Sequence, residues 1–188
     1  QSGITREDLP LRPKTLYGAT KLSVGFLTRQ LCDLAGTRYV WLRLLSAYGP
    51  KDDPDHLIPL VIMKLLAGEK PALTLGEQWW DYLYVEDVIE AACQAAQQSH
   101  VQGVYNLSSG QAHTVRDIVT RVRDMIDADL PLGFGEIPYG PGQIMRLQGE
   151  GTNSAFCRAT GWIPKVGLDE GLRHTVDWYR TNRQRYGL

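Results

Sequence analysis

Residues 13–45 read PKTLYGATKLSVGFLTRQLCDLAGTRYVWLRLL, and two different periodicities meet in this stretch. Thr15 and its neighbours open a helix that runs to about Ala35 and is closed by Gly36. Val24, Leu27, Leu31 and Leu34 recur at spacings of three and four, a stripe predicted to face the core. Leu22 and Phe26 lie on nearly the opposite side, which predicts a second packing surface. After the glycine, Tyr39 to Leu45 is aromatic, β-branched and mostly apolar, as in a buried parallel strand.

Outward from there, the alternation continues. Residues 1–14 are polar and proline-bearing, a surface loop. The YGPKDDPD loop precedes a helix over about 58–67 that Gly68 stops. Short strands are expected at 73–75, 82–84 and 104–107. Helices are expected at 85–97, at VRDIVTRVRDMI behind a Thr114 cap, and at roughly 169–183. Residues 128–150 are rich in Gly and Pro and read as loop with brief strands. Helices alternating with short apolar strands predict an α/β fold with some parallel sheet.

Composition excludes several classes. Twenty Lys+Arg against 21 Asp+Glu leave a net charge of −1, without the basic footprint of a nucleic-acid binder. No run approaches the ~18 apolar residues of a transmembrane helix, and no signal peptide is visible. Cys32, Cys93 and Cys157 match no disulfide or metal framework, so reduced thiols in a cytoplasmic protein are expected. His56, His100, His113 and His174 are scattered without ligand spacing, and no metal site is expected.

Tyr17 and Lys21 carry the chemistry. Four residues apart in a helix, they share one face. A tyrosine near its free pKa of about 10 is a poor base at neutral pH, and a nearby cation favours the phenolate. Such a tyrosine can exchange a proton with an alcohol or carbonyl oxygen while hydride moves at the carbon. The plainer alternative is an amphipathic helix whose tyrosine packs and whose lysine snorkels.

The order PLRPKTLYGATK, LRLLSAYGP, WWDYLYVEDVIEA, GVYNLSSG and TGWIPKVGLDEGLRHTVDWY resembles the extended short-chain dehydrogenase/reductase family, the NAD-dependent epimerases and dehydratases of nucleotide sugars. The resemblance implies the C-terminal part of a Rossmann-like parallel sheet with helices, plus a smaller α+β substrate-binding lobe. Residues 1–14 would be loop. Residues 15–125 would form a partial Rossmann-like core with interleaved substrate-lobe segments, and 126–188 mainly the substrate lobe and C-terminal helix. Tyr17 would be the catalytic acid/base, with Lys21 holding the nicotinamide ribose. Leu44 and Ser46 would pass the cofactor, NAD or NADP. Tyr48, Trp80, Asn106 and Arg146 would meet the nucleotide-sugar substrate, and the complete protein would be a homodimer.

Some of the family pattern is absent or changed. Trp79 and Trp80 stand where the family usually carries a diphosphate-binding arginine, and an indole offers one neutral donor instead of a charged fork. No glycine-rich dinucleotide turn precedes Tyr17, and only 16 residues stand before it. The chain is therefore expected to match roughly the last three-fifths of a two-lobed enzyme. The alternative is an incomplete fragment that keeps a sugar-nucleotide-binding or dimerisation role.

Overall fold

The structure, a computed structural model, describes residues 3–186. Its elements run α1 (Leu16–Ala35), β1 (Val40–Leu44), β2 (Ala47–Tyr48), α2 (Leu57–Leu66), β3 (Ala72–Leu73), β4 (Trp79–Asp81), β5 (Leu83–Tyr84), α3 (Val85–Gln97), β6 (Gly103–Leu107), β7 (Ala112–Thr114), α4 (Val115–Ile126), β8 (Gly133–Phe134), β9 (Arg146–Leu147), α5 (Ala155–Thr160) and α6 (Leu168–Thr181). Local chemistry sets several of these boundaries. Thr15 Oγ1 accepts the Gly18 amide at 3.0 Å, satisfying a donor the first turn leaves open. Gly36 ends α1 in the left-handed region at φ 63°. Thr114 caps α4 in the same way as Thr15 caps α1, accepting from Asp117 N.

β1 and β6 form the longest pair, parallel, with Val40 opposite Gly103 and Leu44 opposite Leu107. β2–β5, β3–β8 and β4–β9 are also parallel, while β4–β7 is antiparallel. The α/β class expected from the alternation is what folds. α5 was not foreseen. Its six residues are too few to show a period, although Ser154 caps it through Cys157 N. The strand expected at 82–84 folds as Leu83–Tyr84, and Trp79–Asp81, not expected as a strand, pairs in a separate sheet.

Two apolar clusters hold the chain. In the first, Ile58, Val61, Ile62 and Leu65 of α2 meet Ile118, Val119 and Val122 of α4 and Leu172, Val176 and Tyr179 of α6. The second packs Ala91 and Ala95 of α3 with Leu83, Val101, Leu107, Phe156 and Trp162. Asp87, in the first turn of α3 and 2% exposed, accepts the Lys165 and Val166 amides at 3.1 and 3.0 Å. No helix among the described residues is long and apolar enough to cross a membrane.

The α1 stripe is a correction. Leu27, Leu31 and Leu34 are 64–85% exposed, and Val24 is 43% exposed. The face that packs is centred on Gly25, the one fully buried residue of the helix. A Cβ there would lie 3.3 Å from the Trp41 indole, so the missing side chain lets helix and strand approach closely. Tyr39 completes the seam by donating its hydroxyl to Gly25 O at 3.0 Å.

Tyr48, Tyr82 and Tyr84 gather at β2 and β5, with Tyr48 edge-on to both neighbours. Burial pushes all three phenols up from 10.0, Tyr82 to about 12 even though a hydrogen bond from Ser46 works the other way. Above pH 10 the unfolded chain releases these protons while the folded one still holds them, so stability falls as pH rises from there. Alkaline titration should show tyrosinate absorbance rising together with loss of circular dichroism. Independent titration of these phenols in a folded chain would contradict this.

Candidate functional site

A cleft of about 460 Å³ lies between the loop over residues 5–13, α1 and β1. Its wall combines Leu22, Phe26 and Trp41 with five cations, Arg6, Arg12, Lys21, Arg29 and Arg43, and no carboxylate among the described residues lines it. Arg6 pairs with Asp8 at 3.4 Å on the outside; the other four have no ion-pair partner among the described residues. Unneutralised guanidinium groups around an apolar floor suit a ligand with phosphate charge and a ring face. No single motif announces this set, because the arginines are scattered along the sequence and converge only through folding.

Of the residues singled out from sequence, Lys21, Leu44 and Asn106 line this one cleft. Asn106 is 3% exposed; its backbone N–H donates to Glu7 Oε1 at 2.8 Å, which ties the leading loop to β6. Tyr17 stands at the rim, 73% exposed, one residue before the cleft-lining Gly18. Lys21 Nζ lies 5.6 Å from the centroid of the Tyr17 ring, the one-turn approach the spacing predicts.

The others point elsewhere. Tyr48 is a core residue, 2% exposed, whose hydroxyl donates to Leu168 O at 3.2 Å, so it is not placed to meet a ligand. Gly171 admits it, since a Cβ there would sit 2.1 Å from the Tyr48 hydroxyl. Ser46 faces Tyr82. On β9, Leu147 lines the cleft while Arg146 projects to the other side, stacked at 5.4 Å on Trp79 and donating to Gln148 Oε1 at 2.6 Å. Trp80 lines a different cavity altogether.

One structural anchor, Asp81, lay inside a motif without a role. Asp81 is fully buried and accepts from Ser109 N, Ser109 Oγ, Gly110 N and Gly149 N at 2.6–3.0 Å. It joins β4 to the turn after β6 and to the segment after β9, the strand that brings Leu147 to the cleft.

Comparison with known proteins gives this geometry its context. The chain is 30% identical over 192 residues to a dTDP-glucose 4,6-dehydratase of Xanthomonas campestris pv. campestris, covering 97% of this chain and 54% of that protein. It superposes on a UDP-glucose 4-epimerase of Thermus thermophilus, solved in complex with NAD, with TM-score 0.83 and 30% identity over 96% of this chain and 58% of that one. A dTDP-glucose 4,6-dehydratase from Streptomyces venezuelae, solved with NAD bound, gives TM-score 0.87 at 26% identity, covering 98% and 57%. The chain thus spans about half the length of the curated relatives it matches. The model of the NAD dependent epimerase/dehydratase family matches residues 1–108, more than half of the sequence, and the chain belongs to that family.

Proposed function

We propose that the protein moves hydride at a sugar carbon, usually C4, of a nucleotide sugar, with Tyr17 as the acid/base and NAD or NADP as cofactor. The observation that carries this reading is the Tyr17–Lys21 pair standing beside a cation-lined cleft. Bound NAD(P) supplies the hydride acceptor and donor. Tyr17 takes the proton of the substrate hydroxyl as the carbon is oxidised, and returns it on reduction. Lys21 and Leu44 would contact the cofactor, and the arginines would offset phosphate charge. Asn106, at the end of the cleft formed by β6, would position the substrate. The relatives are named for dTDP- and UDP-linked sugars, and these two classes are the substrates to assay first.

The test is hydride transfer, read from cofactor absorbance, in the full-length protein supplied with these sugars. Transfer that depends on the Tyr17 hydroxyl supports the reading; transfer that survives Tyr17→Phe overturns it.

The exposed stripe of α1 supports a homodimer of the complete protein, because Leu27, Leu31 and Leu34 form a continuous apolar surface on one helix. Leu31→Asp should shift the full-length protein from dimer to monomer in light scattering. An unchanged mass would remove α1 from the interface.

A further inference from the structure

A second cavity, of about 240 Å³, shares no lining residue with the cleft at Lys21. Trp80, Tyr82, Ser109, Gln111, His113 and Thr152 contribute to it, with residues 164–168 closing one side.

Its charged groups are already matched. Lys165 Nζ donates to Glu90 at 2.5 Å. Asp117 receives Arg121 Nε on both oxygens, at 3.1 and 3.0 Å, and Arg121 continues to Asp169 at 2.6 Å. The same Asp117 lies 3.0 Å from Nδ1 of His113, which stands on β7 just before the α4 cap. A carboxylate facing Nδ1 can only accept, so Nδ1–H donates to it, and in that tautomer Nε2 is the acceptor. His113 Nε2, the Gln111 side-chain amide, the Thr152 hydroxyl and the Trp80 indole N–H have no hydrogen-bond partner among the described residues. Each is neutral. Together they offer acceptors and donors beside an aromatic face, on a frame fixed by the Asp117–Arg121–Asp169 chain.

We infer that this cavity binds a neutral polyhydroxylated ring of monosaccharide size, with His113 Nε2 accepting a hydroxyl proton and Trp80 supplying the stacking face. An anion would find no unmatched cation there. An apolar ligand would bury the free polar groups without partners, which costs free energy. A polyol ring satisfies both requirements.

The probe is methyl α-D-glucopyranoside, titrated into the chain and followed by the indole N–H resonance of Trp80, assigned by its loss in Trp80→Phe. Saturable shifts with a millimolar dissociation constant are expected. His113→Ala should weaken binding at least about tenfold. His113→Gln, which can put an amide oxygen near the Nε2 position, should restore part of it. Asp117→Asn keeps the ring but favours the tautomer with its proton on Nε2, and should weaken binding while thermal melting confirms the fold. Tyr17→Phe should leave this binding unchanged, which separates the result from the fate of the hydride-transfer reading. No saturable shift up to ~100 mM sugar, equal affinity in His113→Ala, or tighter binding of inorganic phosphate than of the glucoside would each overturn the inference.

Discussion

Tyr17→Phe should lower kcat of the full-length protein by about 10²–10⁴ while leaving cofactor affinity and thermal stability near their original values. The factor is the usual contribution of a positioned general acid/base, and it corresponds to roughly 3–5 kcal/mol of transition-state stabilisation. Stability should hold because the residue is 73% exposed and its hydroxyl has no hydrogen-bond partner among the described residues. Removing one oxygen from the surface opens no cavity. Lys21 refines the test. If it works through the phenol, Lys21→Met costs turnover in the presence of Tyr17 and little more in its absence, the non-additivity of groups that act as a unit. If it also holds the cofactor, the Lys21 variant raises the cofactor KM as well. A Tyr17→Phe protein that loses affinity in step with turnover would assign the tyrosine to binding and remove it from the chemistry.

Where the chain makes its structure from neighbours in sequence, the sequence was enough to read it. The Thr15 and Gly36 ends of α1, the Thr114 cap of α4 and the span of α3 follow from residues within one turn of each boundary. The packed face of α1 was not legible, because the contact is made by Gly25, which adds nothing to an apolar pattern. The leucines that make the pattern are outside. The site shows the same division. The Tyr17–Lys21 approach is a helical spacing and could be seen directly. The ring of arginines could not, since Arg6 and Arg12 come from a loop, Arg29 from α1 and Arg43 from β1. Strand geometry explains why Arg146 and Tyr48 lie away from the cleft. Adjacent residues in a strand face opposite ways, so Leu147 took the cleft and Arg146 the outer surface, while Tyr48 at the end of β2 turned inward. Asp117 and Arg121 are one turn apart on α4, a helical spacing present in the sequence, whereas His113 reaches Asp117 from β7, just before the Thr114 cap.

Asp81→Ala should be the most destabilising single substitution of the polar residues, by about 3–5 kcal/mol, since truncation removes a fully buried acceptor shared by four donors. Three are backbone N–H groups, of Ser109, Gly110 and Gly149, with the Ser109 hydroxyl as the fourth. Water has little room to replace the carboxylate. Gly110 and Gly151 already touch, so closely that a Cβ on Gly110 would lie 2.7 Å from Gly151 Cα, and a Cβ on Gly149 would meet the Ser108 hydroxyl at 2.1 Å. Asp81→Asn retains the shape but turns an NH₂ toward N–H donors, and should cost about 2 kcal/mol. A domain of this size has roughly 5–15 kcal/mol in total, so the alanine variant would populate unfolded chain under mild denaturant. Urea unfolding of the two variants gives the ranking, Ala below Asn below the original chain. Amide exchange gives the location. Gly110 and Gly149 should lose protection first, while the α2–α4–α6 cluster, which Asp81 does not touch, keeps its own until global unfolding. Equal urea midpoints for the original chain and Asp81→Ala would show that the three segments are held by their packing alone. The carboxylate would then be a passenger in a turn that closes without it.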